Sequence, residues 1–201
     1  MTVQLYPQVD HDKAAWHAAF RQTAAGGRAV KVAKHAHVYT CGDPNLSVYF
    51  IESGQIKLQI LTPDGKECLL SILTAGDLFG ESCLTNQQGR PETAIAMTPA
   101  LLRVIPRSQF LTALHQTNLL ESFVHYLARR VAEHQAVIAD LVTADSEQRL
   151  AKTLLYLARK LGRSAPPVLC IEPRLTHEEL AALVGTTRPR ISEFMQRFRQ
   201  L

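Results

Sequence analysis

Near its end the chain carries four arginines in one short stretch: Arg188, Arg190, Arg197 and Arg199. A guanidinium is a flat fork of N–H donors. It meets two acceptors at once, such as guanine O6 and N7 or a pair of phosphate oxygens. That chemistry is recognition of a polyanion. Arg188, Ser192, Glu193 and Arg197 fall on one side of a helical spacing, and Ile191, Phe194, Met195 and Phe198 fall on the other. Just upstream, Thr176 with Glu179 is a T-x-x-E capping box, which opens a short helix with an apolar face of Leu180, Ala181 and Val184. Gly185 supplies a turn, Thr187 is placed to cap the second helix, and Pro189 sits in its first turn, where a missing N–H costs nothing. The pattern predicts a helix-turn-helix whose second helix enters the DNA major groove by its N-terminal end. Arg188 is the candidate for reading a base. Arg190, Arg197 and Arg199 are candidates for phosphate contacts, which position the protein without reading sequence. Thr176, Thr187, Pro189, Ser192 and Glu193 complete the expected DNA-facing set.

The charge distribution points the same way. The net charge is +4. Residues 1–144 hold twelve Lys/Arg and twelve Asp/Glu, whereas residues 145–201 hold ten and six, so the surplus lies in the last quarter. Other chemistries find little support. Cys41, Cys68, Cys83 and Cys170 form no C-x-x-C pair; they read as small core residues, with a redox-sensing thiol as the alternative. The eight histidines show no metal-ligand spacing, so no metal is expected. There is no nucleophile–base pattern, no phosphate-cradling glycine loop and no convincing carboxylate pair, which argues against an enzyme. No apolar run approaches the roughly 18 residues of a membrane span, and the N-terminus lacks a signal-peptide pattern. The sequence predicts a cytoplasmic protein without a membrane partner.

The elements that must position the arginines follow from periodicity. Residues 9–23 suit a short amphipathic helix with Trp16 and Phe20. Residues 29–105 alternate short β-rich runs with turn signals every 8–12 residues, including "TPDG" between "IKLQIL" and "ECLLSIL", the signature of a small antiparallel barrel or sandwich. Residues 107–114 predict a turn or two of helix. A long helix follows over 117–142. Its stripe of Leu120, Val124, Leu127, Val131, His134, Ile138 and Leu141 steps by four and three, the repeat of a coiled-coil seam. A homodimer is expected, with packing of this helix on its own domain as the alternative. His134, the polar member, could set register, sense protons or touch a ligand. Asp145 with Gln148 caps a further helix to about Lys160, Gly162 ends it, "RSAPPV" reads as a loop and "VLCIEPRL" as a short strand. The expected domains are 1–116, a dimerisation helix and hinge over 117–144, and 145–201.

Three stretches in this order resemble the cyclic-AMP receptor protein / fumarate-and-nitrate regulator family. "ESGQIKLQILTPDGKECLLSILTAGDLFGES" is similar to its cyclic-nucleotide-binding β-roll. "LARRVAEHQAVIADLVTADSEQRLAKTLLYLA" is similar to its dimerisation helix, hinge and first DNA-domain helix, and "LTHEELAALVGTTRPRISEFMQRF" to its helix-turn-helix. The resemblance implies an α+β fold: an antiparallel β-roll, a long helix and a winged helix-turn-helix. The chain ends where the family continues into the β-hairpin wing. It implies a homodimeric transcription regulator with double-stranded DNA and RNA polymerase as partners and motion near Ala144–Asp145. The other implied reading is a ligand-binding or docking module of the same fold that has lost DNA binding. Gly80, Glu81 and Ser82 match the family's effector turn, where the glutamate accepts a ribose hydroxyl; a plain structural corner is the alternative. Thr93 matches the end of an Arg-Ser/Thr-Ala motif, and His134 and Gln135 match its base-contacting pair. Glu92 stands where the phosphate-binding arginine is expected, with Arg90 two residues away. The resemblance therefore implies a small-molecule effector other than cyclic AMP, or none. Pro189 and Glu193 replace a frequent glutamate and arginine, so the target sequence should differ from that of the best-known members.

Overall fold

The computed structural model describes residues 16, 20, 27–85, 88–116, 119–165 and 168–200. Ten strands are present among the described residues: β1 (Arg28–Val32), β2 (His37–Tyr39), β3 (Ser47–Ser53), β4 (Gln55–Leu61), β5 (Glu67–Thr74), β6 (Leu78–Phe79), β7 (Thr93–Ala96), β8 (Ala100–Pro106), β9 (Gly162–Ala165) and β10 (Val168–Ile171). The helices are α1 (Arg107–Gln116), α2 (Leu120–Thr143), α3 (Ser146–Leu161), α4 (His177–Val184) and α5 (Arg188–Phe198). One four-stranded sheet runs β1-β8-β3-β6 and a second runs β2-β7-β4-β5. The pairings β1–β8, β3–β8, β3–β6, β2–β7 and β4–β7 are antiparallel, as an antiparallel β-roll requires.

The chain divides into two compact units. One comprises the described residues up to Ile60 together with Leu70–Val131, and the other Leu61–Leu69 with residues from Ala132 onward. The first unit has two apolar clusters, and β3 serves both. Successive side chains of a strand point to opposite faces. Val48 and Phe50 therefore enter a cluster with Trp16, Phe20, Phe110 and Phe123, while Tyr49 and Ile51 enter one with Tyr39, Ile56, Phe79 and Leu102. Leu78 and Phe79 of β6 divide in the same way. Burying each such large side chain contributes roughly 1.5–3 kcal/mol, so a strand buried on both faces anchors this unit. Trp16 and Phe20 are helical and fully buried; the rest of the expected helix over 9–23 lies outside the described residues.

In the second unit, α3, α4 and α5 pack on one another through Leu150, Leu157, Leu180, Val184, Ile191 and Phe194. Both expected capping boxes form, Asp145 with Gln148 and Thr176 with Glu179. Three expectations are corrected. Residues 163–165, expected as loop, are strand: β9 pairs antiparallel with β10 after α3. Helix α1 is ten residues long, not a turn or two. Of the cysteines only Cys83 is buried; Cys41, Cys68 and Cys170 are exposed, because each stands on a strand margin or loop face turned to solvent.

Helix α2 carries the seam. Leu120, Val124, Val131, Ile138 and Leu141 are 48–60% exposed, a costly arrangement for a lone chain. Leu127 instead packs partly against the Phe110–Phe123 cluster, so this member of the stripe serves its own unit.

Candidate functional site

Two sites were expected. The helix-turn-helix residues lie within one unit and Gly80, Glu81, Ser82, Arg90 and Thr93 within the other, whereas His134 and Gln135 fall in the helix-turn-helix unit. The first is built on the turn after β6. Gly80 has φ +78°, and a Cβ there would stand 3.0 Å from the Ser47 carbonyl oxygen and 3.0 Å from Tyr49 Cδ2. Only glycine fits such a left-handed corner without strain. Glu81–Leu84 then forms a 3₁₀ turn.

Arg90 closes this corner from inside. It is 3% exposed. Its Nη1 donates to the Gly80 carbonyl at 2.5 Å and to Ser82 Oγ at 3.3 Å, and its Nη2 donates to the Ser47 carbonyl at 2.5 Å. Strand β6 pairs with β3 only at Tyr49–Phe79 and Phe50–Leu78, so the Ser47 carbonyl lies past its end. Arg90 supplies the donor that a longer strand would have provided. The guanidinium carbon also lies 4.5 Å from the Tyr39 ring centroid and 5.8 Å from that of Tyr49. Its Nε is buried without a hydrogen-bond partner.

Glu92 is 8% exposed and accepts a hydrogen bond from the Tyr39 hydroxyl at 2.6 Å. Burial first, and then the Glu92 charge, pushes the Tyr39 phenol well above its ordinary value. Burial also raises Tyr49, against the opposing pull of Arg90. Of the two candidates, Arg90 and not Glu92 is the residue beside the turn. Pro91 is exposed, and Arg90 and Glu92 on either side of it, just before β7, are both buried. The guanidinium reaches the Gly80–Ser82 turn, and the carboxylate is engaged by Tyr39. Thr93 Oγ1 accepts from the Cys41 backbone N–H at 3.0 Å.

The outer side of the same corner is tied to α2. Glu81 Oε1 accepts from Arg130 Nη1 at 2.6 Å, Arg130 Nη1 lies 3.2 Å from the Tyr126 hydroxyl, and that hydroxyl donates to the Leu78 carbonyl. Glu81 is thus an ion-paired carboxylate. Tyr126 and Arg130 escape notice in the sequence; their only signal is an aromatic–arginine pair at i, i+4 on the long helix. Farther along α2, His134 and Gln135 are exposed.

The second site is the pair α4–α5. The Thr176 side chain accepts from the Glu179 backbone N–H, and Gly185 turns the chain with φ +71°. Thr187 stands at the N-cap of α5, but its side chain makes no capping bond, a correction to the expected cap; Pro189 occupies the first turn. Ile191 and Phe194 are buried, Met195 and Phe198 half-buried, and Arg188, Pro189, Arg190, Glu193 and Arg197 exposed. Two side chains are already committed. Ser192 Oγ donates to the Arg188 carbonyl at 3.2 Å and lies 2.8 Å from His177 Nδ1. Arg197 Nη2 lies 2.8 Å from Glu147 and 3.9 Å from Glu193.

Arg149 of α3, unmarked by any sequence signal, holds the turn in place. It donates to the carbonyls of Val184 at 2.9 Å, Gly185 at 3.2 Å and Ala144 at 2.8 Å. These include the free carbonyls of a helix end, where a cation is favoured. Beside it, Lys152 Nζ meets Asp140 Oδ1 at 2.5 Å across the α2–α3 junction.

Residues 29–117 match the cyclic nucleotide-binding domain family, and residues 148–201 match the Crp-like helix-turn-helix domain. The chain is 32% identical over 162 residues to the CRP-like cAMP-activated global transcriptional regulator of Mycobacterium tuberculosis, an alignment covering 80% of this chain and 72% of that one. The chain belongs to the CRP/FNR family of transcription regulators. Another member, the global nitrogen regulator of Nostoc sp., is 30% identical, with 90% of this chain and 84% of that one covered. Among solved CRP/FNR-type structures, a CooA mutant from Carboxydothermus hydrogenoformans superposes with a TM-score of 0.71 at 26% identity, covering 86% of this chain and 76% of that one. As a CRP/FNR regulator the chain combines a cyclic-nucleotide-binding-type β-roll with a DNA-binding helix-turn-helix. No helix among its described residues is long and apolar enough to cross a membrane.

Proposed function

We propose that this CRP/FNR regulator acts as a homodimer on double-stranded DNA, and that a small organic anion taken up in the β-roll biases it. The observation that carries the reading is the α4–α5 pair. A left-handed glycine turn and a buried Ile191–Phe194 face leave Arg188, Pro189, Arg190 and Glu193 together on the outside. The exposed α2 stripe supplies the twofold contact that would set two such helices about one DNA turn apart. In this reading Arg188 reaches a base from the first turn of α5, and Arg190 and Arg199 meet phosphates. The role implies RNA polymerase as a further partner, the cytoplasm as compartment, and no enzymatic step.

The Arg90 guanidinium at the Gly80–Ser82 turn supports a small organic anion as the effector class. Such a ligand competes with two carbonyls for the guanidinium, and with Arg130 for Glu81 wherever it offers a hydroxyl.

The test is anisotropy of labelled genomic duplexes titrated with the full chain at several salt concentrations. Four phosphate contacts per dimer predict a slope of log K on log salt of roughly −3 to −4. Absence of binding to any duplex at low salt would favour the docking-module reading.

A further inference from the structure

Resting on the DNA-binding reading, we infer that Glu193 and Gln196 read the centre of the half-site, beside the base that Arg188 reaches from the first turn of α5. Glu193 accepts from a cytosine N4 amino group, and Gln196 contacts an adjacent adenine. The argument begins with the direction in which α5 faces. Ile191 and Phe194 are buried against α3 and α4, which fixes the inner side of the helix. At about 100° per residue, the residues on the opposite side are Pro189, Glu193 and Gln196, and all three are exposed. The arginines lie on the flanks: Arg188 and Arg199 on one edge, Arg190 and Arg197 on the other. A helix seated in the major groove by its N-terminal end sets its first turn and its outermost line against base edges, and its flanks beyond the first turn toward the two phosphate backbones.

Commitments within the domain narrow the readers further. The Ser192 hydroxyl is engaged by the Arg188 carbonyl and His177. Arg197 is drawn back onto Glu147 and stands 3.9 Å from the Glu193 carboxylate, close enough to temper its charge. Glu193 and Gln196 therefore remain as the polar groups on the outer line. An ionised carboxylate only accepts hydrogen bonds, and phosphates repel it; in the groove it suits the cytosine N4 donor. A Gln amide both donates and accepts, which suits adenine N7 and N6. The two residues are about 4.5 Å apart along the helix axis, near one base-pair step of about 3.4 Å. Adjacent positions follow, with Pro189 left to make apolar contact, as with a thymine methyl group.

The experiment is enrichment of randomised duplexes by the full chain in wild-type, Glu193→Gln and Glu193→Arg forms, followed by anisotropy on single-base variants of the enriched site. The expected result is cytosine at one position per half-site in wild type. That preference passes to adenine with Glu193→Gln and to guanine with Glu193→Arg, with about tenfold discrimination at that position. Glu193 is exposed, so both variants should keep the wild-type unfolding midpoint. Enrichment of the same bases by all three proteins, or a change in affinity equal on every sequence, overturns the inference. Wild-type binding without sequence preference overturns it too, whereas failure of the wild type to bind any duplex overturns the DNA-binding reading beneath it.

Discussion

Arg90 and Glu92 compete for one role in the sequence, and the structure separates them by their partners. On either side of the exposed Pro91 both are buried, one at the Gly80–Ser82 turn and one at the Tyr39 hydroxyl. The Glu81 corner is legible as a motif because its glycine and carboxylate are adjacent in sequence. The identity of its cation is not legible, because it depends on where a strand ends: β6 stops at Phe79 and leaves the Ser47 carbonyl for Arg90. Replacing Arg90 by Met keeps much of the volume and removes every donor. The Ser47 carbonyl then loses its side-chain donor, while the Gly80 carbonyl retains the Cys83 N–H. Glu92 is left buried with less compensation. A loss of about 2–4 kcal/mol in urea denaturation is expected. Arg90→Lys should recover only part of it, since an ammonium cannot span both carbonyls. An unchanged midpoint for Arg90→Met would mean that water reaches this interior.

Helices α3 and α4 were within reach of sequence reading because their signals are local. A cap, its partner three residues on and an apolar stripe lie in one window. The β9–β10 hairpin was not, since four-residue strands around Pro166–Pro167 look like loop until their pairing is seen. The clamp of Arg149 is equally invisible, because its three carbonyl partners include two that are 35 and 36 positions away. At the α4–α5 turn, Gly185 is left-handed, and an added Cβ would lie 3.3 Å from Leu141 Cδ2. Gly185→Ala should cost roughly 1–2 kcal/mol, chiefly from the left-handed backbone. It should lower DNA affinity alongside the thermal midpoint, as the Val184 and Gly185 carbonyls shift from Arg149. A variant with wild-type midpoint and affinity would show that the turn tolerates relaxation.

At the scale of the molecule, the exposed stripe of α2 is the largest unmet demand. The four-and-three spacing made the stripe legible, but not the diversion of Leu127 into its own unit, which depends on a three-dimensional neighbour. Val131 and Ile138 are 55% and 60% exposed, so lysine at both positions leaves each unit's own core untouched. The double variant Val131→Lys/Ile138→Lys should sediment as a monomer with a normal circular-dichroism spectrum. It should lose at least about a hundredfold in affinity for a two-half-site duplex, because bivalent attachment is gone. A dimer that survives this change would place the twofold contact elsewhere.

The grip of Arg149 on three carbonyls, with the Lys152–Asp140 bridge beside it, joins the far end of α2 to the reading head. A twist applied to the lower part of that long rod cannot be absorbed at Ala144–Asp145 without first prising loose these bonds. The far end of that rod and the head would therefore swing together, like a key and its bit, until those bonds give.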